Sequence, residues 1–177
     1  MSCYNDGQTR LIVGPDGENY RTGPRSNPIA DALNGKLYFF TSPDGGNFDS
    51  QPGVLCIDVQ DPGNPTNCGF TSLSQTNQSD WMGLSDLVKV GTKYFGNTAT
   101  GGTVLCFDSA TQAPCASNGT ALTWGGDGYY PARMLVHSNK LYVMSAPGVD
   151  CFNIPDLSVC SSGSWPSTGT NGNSLLG

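Results

Sequence analysis

Charge is scarce in this chain. Asp, Glu, Lys and Arg make up 12% of it, about half the usual share. The eight basic residues are scattered singly against 14 acids, for a net charge of −6. No basic stripe exists to hold phosphates, so nucleic acid is not an expected partner. Long apolar runs are missing too. None nears the ~20 residues of a membrane span, so no membrane span is expected. No apolar h-region follows Met1-Ser2-Cys3, so the opening does not read as a signal peptide. The sequence is therefore either cytosolic or a mature segment whose leader lies outside it. Histidine occurs once, as His137. No Gly-x-Ser-x-Gly is present, which removes the usual frame of a hydrolase triad. No window holds a sustained 3.6-residue apolar period, because Gly or Pro interrupts each one.

What is abundant is Gly (24), Pro (12) and Cys (7). This profile is rich in loops, and the ordinary aromatic content argues against disorder. The 177 residues suffice for one domain with a real core. They contain a repeat. Residues 104–115, VLCFDSATQAPC, read as strand, turn and strand with a cysteine in each strand. The same unit stands at residues 54–68 and 149–160. Before each lies a shared phrase, at residues 35–40, 91–96 and 139–144. Tyr38, Tyr94 and Tyr142 are 56 and 48 residues apart, and Cys56, Cys106 and Cys151 are 50 and 45 apart. A period of that size marks a propeller or a solenoid. Residues 29–33, 84–90 and 132–136 read as the first strand of each repeat. The Tyr phrase is the second, and the two cysteines fall in the third and fourth. Four short antiparallel strands per repeat describe a propeller blade. The expected fold is all-β, with three blades over residues 35–80, 81–128 and 129–168. Residues 1–34 hold the end of a preceding blade and the first strand of the first. Residues 169–177 begin a following one. Within 1–26, Leu11, Ile12 and Val13 mark a single strand.

Six cysteines form three pairs, Cys56 with Cys68, Cys106 with Cys115 and Cys151 with Cys160. Facing positions on adjacent antiparallel strands lie ~4.5–5.5 Å apart, within disulfide range. Zinc ligands are spaced more closely than this. Three disulfides within the repeats are expected, and with them an extracellular or secreted location. Each closes a loop of about ten residues, worth ~2–3 kcal/mol in the chain-entropy model. Asp58, Asp108 and Asn153 stand two residues after a cysteine as turn caps. Asn77-Gln78-Ser79 and Asn118-Gly119-Thr120 are glycosylation sequons. In a chain rich in Asn, Ser and Thr, two carry little weight.

The stretch from Gly91 to Cys115 resembles the repeat of the quinoprotein-like β-propellers. That repeat runs as a Gly-x-x-Tyr-Val strand, a Leu-x-Ala-x-Asp strand, then Ala-x-Thr-Gly and a Trp. Gly91, Tyr94, Leu105, Asp108, Ala110 and Thr111 match. Gln112 stands where the family has Gly, and Cys115 near its docking Trp. The resemblance implies the fold and not the quinone activity. The chain lacks the adjacent cysteines of those active sites and any evident calcium-and-base carboxylate set. The cysteine pairs then look like a covalent replacement for the Trp clamp.

Few residues invite chemistry. His137 reads as an ordinary strand-end residue. Asp44, Asn47 and Asp49 offer loop oxygens of the kind that hold Ca²⁺, without the acidic closing ligand of an EF-hand. A long turn is the simpler account, and no cofactor is expected. Trp81, Trp124, Asp127, Tyr129, Tyr130, Arg133 and Trp165 fall in the connections between repeats, which share one face of a propeller. They either wedge between blades or form a carbohydrate- or protein-contact surface. The leading expectation is a secreted, disulfide-stapled propeller acting as a binding or structural module of a larger extracellular object. The alternative is a part of an extracellular propeller enzyme, quinoprotein-type or glycan-active. Three blades do not close a ring, since closure takes about four to eight. The expected partners are further blades of the same propeller or other chains, and Cys3 is expected to pair outside this sequence.

Overall fold

The structure, a computed structural model, describes residues 2–5, 10–13, 19–22, 29–43, 52–73, 87–97, 102–122, 133–145 and 148–160. Among them are fifteen strands and no helix. All pairing is antiparallel, in three sheets of seven, five and three strands.

The first sheet contains β1 (Ser2–Asn5), β2 (Arg10–Val13), β3 (Asn19–Thr22), β4 (Ile29–Asp31), β5 (Lys36–Pro43), β6 (Gly53–Asp58) and β7 (Thr66–Ser72). The second holds β8 (Val88–Val90), β9 (Lys93–Asn97), β10 (Thr103–Asp108), β11 (Ala113–Pro114) and β12 (Thr120–Ala121). The third holds β13 (Arg133–His137), β14 (Lys140–Ser145) and β15 (Gly148–Asn153). One ladder recurs in all three, as β4-β5-β6-β7, β8-β9-β10-β11 and β13-β14-β15.

Two expectations about the strands need revision. The segment before residue 23 has three strands and not one, and it joins the first sheet through Tyr20↔Pro43 and Arg21↔Ser42. β1 and β3 lack the apolar alternation that exposes a strand in sequence. The fourth strand of the repeat also weakens along the chain. It is continuous as β7 and split into β11 and β12 in the second sheet. In the third it shrinks to a single bridge, Phe152↔Val159.

The register corrects the repeat alignment. Across the second and third strands, Tyr38 faces Cys56, Phe95 faces Cys106 and Tyr142 faces Cys151. Phe95, not Tyr94, is therefore the counterpart of Tyr38 and Tyr142. Lys36, Lys93 and Lys140 align with one another. The slip of one residue matters because side chains alternate between faces. Tyr38 points from the first sheet toward the second, whereas Tyr94 points from the second back at the first. The cause is the place of the turn Gly, which directly precedes the aligned lysine in the first repeat (Gly35-Lys36) but stands one residue earlier in the second (Gly91-Thr92-Lys93).

With this register each sheet has a front face and a back face, and the sheets pack in series. The front of the first (Tyr38, Phe40, Val54, Cys56) meets the back of the second (Tyr94, Leu105, Phe107) in one buried cluster. The front of the second (Phe95, Val104, Cys106) meets the back of the third (Met134, Leu141, Val143, Phe152) in another. The run Val104–Phe107 is buried at every position because packed layers lie on both sides, and the run Val54–Ile57 is likewise buried throughout. Burial of each such side chain contributes roughly 1.5–3 kcal/mol. Gly96 has no side chain because Phe40 occupies the space. A Cβ there would lie 2.8 Å from the Phe40 ring.

Candidate functional site

In each repeat a disulfide ties the third strand to the segment immediately after it. Cys56–Cys68, Cys106–Cys115 and Cys151–Cys160 are closed, with Cα atoms 5.1, 5.3 and 5.4 Å apart. In the first sheet the register shifts between Cys56 and Ile57. Cys56 faces Gly69 while Ile57 faces Asn67, and Cys68 is the extra residue of the bulge. In the other two sheets the second cysteine donates its N–H to the carbonyl of the first at 2.9 Å. Three disulfides fit an oxidising compartment. Cys3 falls in β1, of which only the backbone pairing is described.

Asp58 and Asp108 cap their turns as expected, accepting the N–H of Gln60 and Ala110 at 3.0 Å. Asn153 does not. Its Nδ2 donates to Ser158 Oγ, and Asp156 caps that turn instead. Gln112, at the position where the resembling family has Gly, sits at φ 55°. Its Nε2 donates to Tyr38 Oη at 3.0 Å and to the Ser109 carbonyl at 2.8 Å. The left-handed backbone is thus used to tie the second sheet to the first.

An ion pair joins these two sheets. Lys89 Nζ on β8 is 3.8 Å from Asp31 Oδ1 on β4. The same ammonium stands 5.3 Å from the centre of the Tyr94 ring, which packs 4.9 Å from the Tyr38 ring. Tyr94 Oη is buried, and the Lys89 ammonium lies over the Tyr94 ring. The Asn34 amide at 2.9 Å, and then the Lys89 charge, hold the Asp31 carboxyl below its ordinary range against the opposing effect of burial. Tyr94, and after it Asp31, hold the Lys89 ammonium above its ordinary range. Burial pushes the Tyr94 phenol up. All three shifts move away from neutrality. Asp31 and Lys89 are thus held as an ion pair between the two sheets. Val90 and Val136 occupy the matching positions between the second and third sheets, so the ion pair is not part of the repeat.

The third sheet differs from the others on its front face. Along β15 burial alternates, with Asp150 and Phe152 buried and Val149, Cys151 and Asn153 half-buried. Leu135 on this face is 53% exposed. Arg133 and His137 flank it, both exposed, and Lys140 lies beside His137 in register. Of the aromatic and polar residues proposed for a contact surface, Arg133 is thus placed here. Trp81, Trp124, Asp127, Tyr129, Tyr130 and Trp165 lie outside the described residues, as do Asp44, Asn47 and Asp49. No group of three or more His, Cys, Asp or Glu among the described residues is arranged to hold a metal. No described helix is long and apolar enough to cross a membrane.

No family model matches the chain, and no curated protein does. Among solved structures it is similar to apo AztD from Citrobacter koseri. The identity is 14% and the TM-score 0.47, over 90% of this chain and 45% of that one. The chain thus spans less than half the length of that structure. A likeness this remote carries no argument about function.

Proposed function

We propose that the three sheets are blades of a β-propeller and that the chain is a disulfide-stapled, extracellular binding or structural module of a larger assembly. One observation carries this reading. The sheets repeat a single register and pack front to back through equivalent positions, with the same series of residues buried at both interfaces. Blades of a propeller stack in this way around an axis. The three disulfides support the extracellular part. The remaining blades, or other chains that supply them, are the proposed partners. A carbohydrate or protein ligand of the assembly is the proposed cargo.

Light scattering on the native material tests this reading, with glycan-array binding alongside. A particle well above 18.5 kDa is expected. A stable 18.5 kDa monomer would remove the assembly, and a blank array would remove the carbohydrate version.

A further inference from the structure

The front positions of the first and second sheets are used in the same way. Tyr38 and Phe95, Val54 and Val104, and Cys56 and Cys106 are all buried by the back of the next sheet. Their counterparts in the third sheet are Tyr142, Val149 and Cys151, joined by Met144 and Leu135. These are apolar as well, yet none is fully buried. An antiparallel sheet that turns one face to water carries polar residues there. This face keeps the apolar set of a packed one.

Its charges are also distinctive. Arg133, His137 and Lys140 lie on it, while the described acid tied to it, Asp156, sits in the turn after β15, bonded to the Ser158 that accepts from Asn153. In the other sheets the residue facing the aligned lysine is acidic, Asp58 opposite Lys36 and Asp108 opposite Lys93. The Lys93–Asp108 pair closes at 3.4 Å. Opposite Lys140 stands Asn153. His137 occupies the position of Asp31. The third sheet thus lacks the acid that both other sheets carry opposite the lysine, and has His137 where the first sheet has Asp31 and the second Val90, in a chain whose net charge is −6.

We propose that the front face of the third sheet is a docking surface for the back face of a further sheet of this repeat, one that carries carboxylates opposite His137 and Lys140. The front-to-back interface, already used twice in this chain, would continue there with reversed charge polarity. In the Asp31–Lys89 contact the front supplies the acid and the back the base. Here the front supplies the base. A second copy placed front to front fails on charge, because it would set three basic residues against three. This proposal rests on the assembly reading and adds where, and to what, the chain binds.

His137 is the sole histidine of these 177 residues, so diethyl pyrocarbonate modification mapped to that residue by mass spectrometry reports on this face. In the native assembled material His137 should react about tenfold more slowly than in the purified 177-residue chain, since a docked layer must open before reagent enters. Lys140→Glu should shift the native particle to lower mass, and Lys140→Arg should not. Circular dichroism of the isolated variant chains keeps loss of folding apart from loss of docking. If Lys140→Glu unfolds the chain, the His137 comparison on unmutated protein decides alone. Equal reactivity in both materials overturns the proposal. Protection that persists in the isolated chain also overturns it, because the chain's own residues would then cover the face. A large native particle with a reactive His137 leaves the assembly reading standing and removes this face from it.

Discussion

Asn118 is the most informative single side chain to remove. It lies in the excursion between β11 and β12 and is 9% exposed. Its Oδ1 accepts the Cys106 N–H at 2.9 Å, replacing a ladder bond that the split fourth strand cannot supply. Its Nδ2 donates to the Leu73 carbonyl at 2.9 Å, across to the first sheet. Asn118→Ala leaves a buried N–H and a buried carbonyl without these partners. Each such group costs about 1–3 kcal/mol, so the expected loss is about 2–6 kcal/mol. That is a large share of the ~5–15 kcal/mol a domain possesses. Urea unfolding with the disulfides intact measures it as a drop in midpoint at unchanged slope. Thr120→Ala is the control. It abolishes the same sequon but removes only the Thr120 Oγ1 bond to the Ser117 carbonyl, and should cost about 0.5–1.5 kcal/mol. Because the amide nitrogen of Asn118 is engaged, the folded chain should carry no glycan there. A loss below about 0.5 kcal/mol for Asn118→Ala, or a glycan on Asn118 in intact protein, would refute the reasoning.

Further outcomes are expected from the packing and the charges. Gly96→Val drives a side chain into the Phe40 ring and should cost about 1–3 kcal/mol in the same urea assay, with Gly91→Ala reporting backbone strain without a clash. Replacing Cys106 and Cys115 together by Ala should cost about 2–5 kcal/mol while leaving any ligand binding unchanged, measured by unfolding and binding in parallel. Asp31, Asp108 and Asp156 all have carboxyls held below the ordinary range. Asn34 holds Asp31, burial at Asp108 is outweighed by the Ala110 N–H, Thr92 and Lys93 together, and the Ser158 N–H holds Asp156. Depressed folded values mean stability that is full above the ordinary carboxylate pKa of about 3.9 and lost as pH falls through the lower folded values. Asp31→Asn should flatten part of that acid limb in a urea series run between neutral and acid pH.

Much of this architecture is legible in the sequence. The cysteine spacing marks three pairs, and the turn residues between them mark antiparallel strands. The alignment of the repeats slips at one place for a physical reason. Tyr94 and Phe95 are adjacent and both suit a strand, so either can be set against Tyr38 on type alone. Only the offset of the turn Gly decides, directly before Lys36 in the first repeat and two residues before Lys93 in the second, and residue type alone does not show that offset. β1 and β3 carry no sequence signal because they are short and without apolar alternation. The Asp31–Lys89 pair and the Asn118 clasp join residues far apart in sequence, and no local pattern announces either. The basic character of the third sheet's front is latent in the sequence, since Asn153 stands where Asp58 and Asp108 do. It gains meaning only once the register shows which face those residues share.

Three self-contained sheets, each stapled to itself and stacked in series, are the centre of this structure. Peptide mapping under non-reducing conditions tests that most directly. Proteolysis followed by mass spectrometry should recover Cys56 linked to Cys68, Cys106 to Cys115 and Cys151 to Cys160. A bond between cysteines of different sheets would contradict the register, the packing and the proposals built on them.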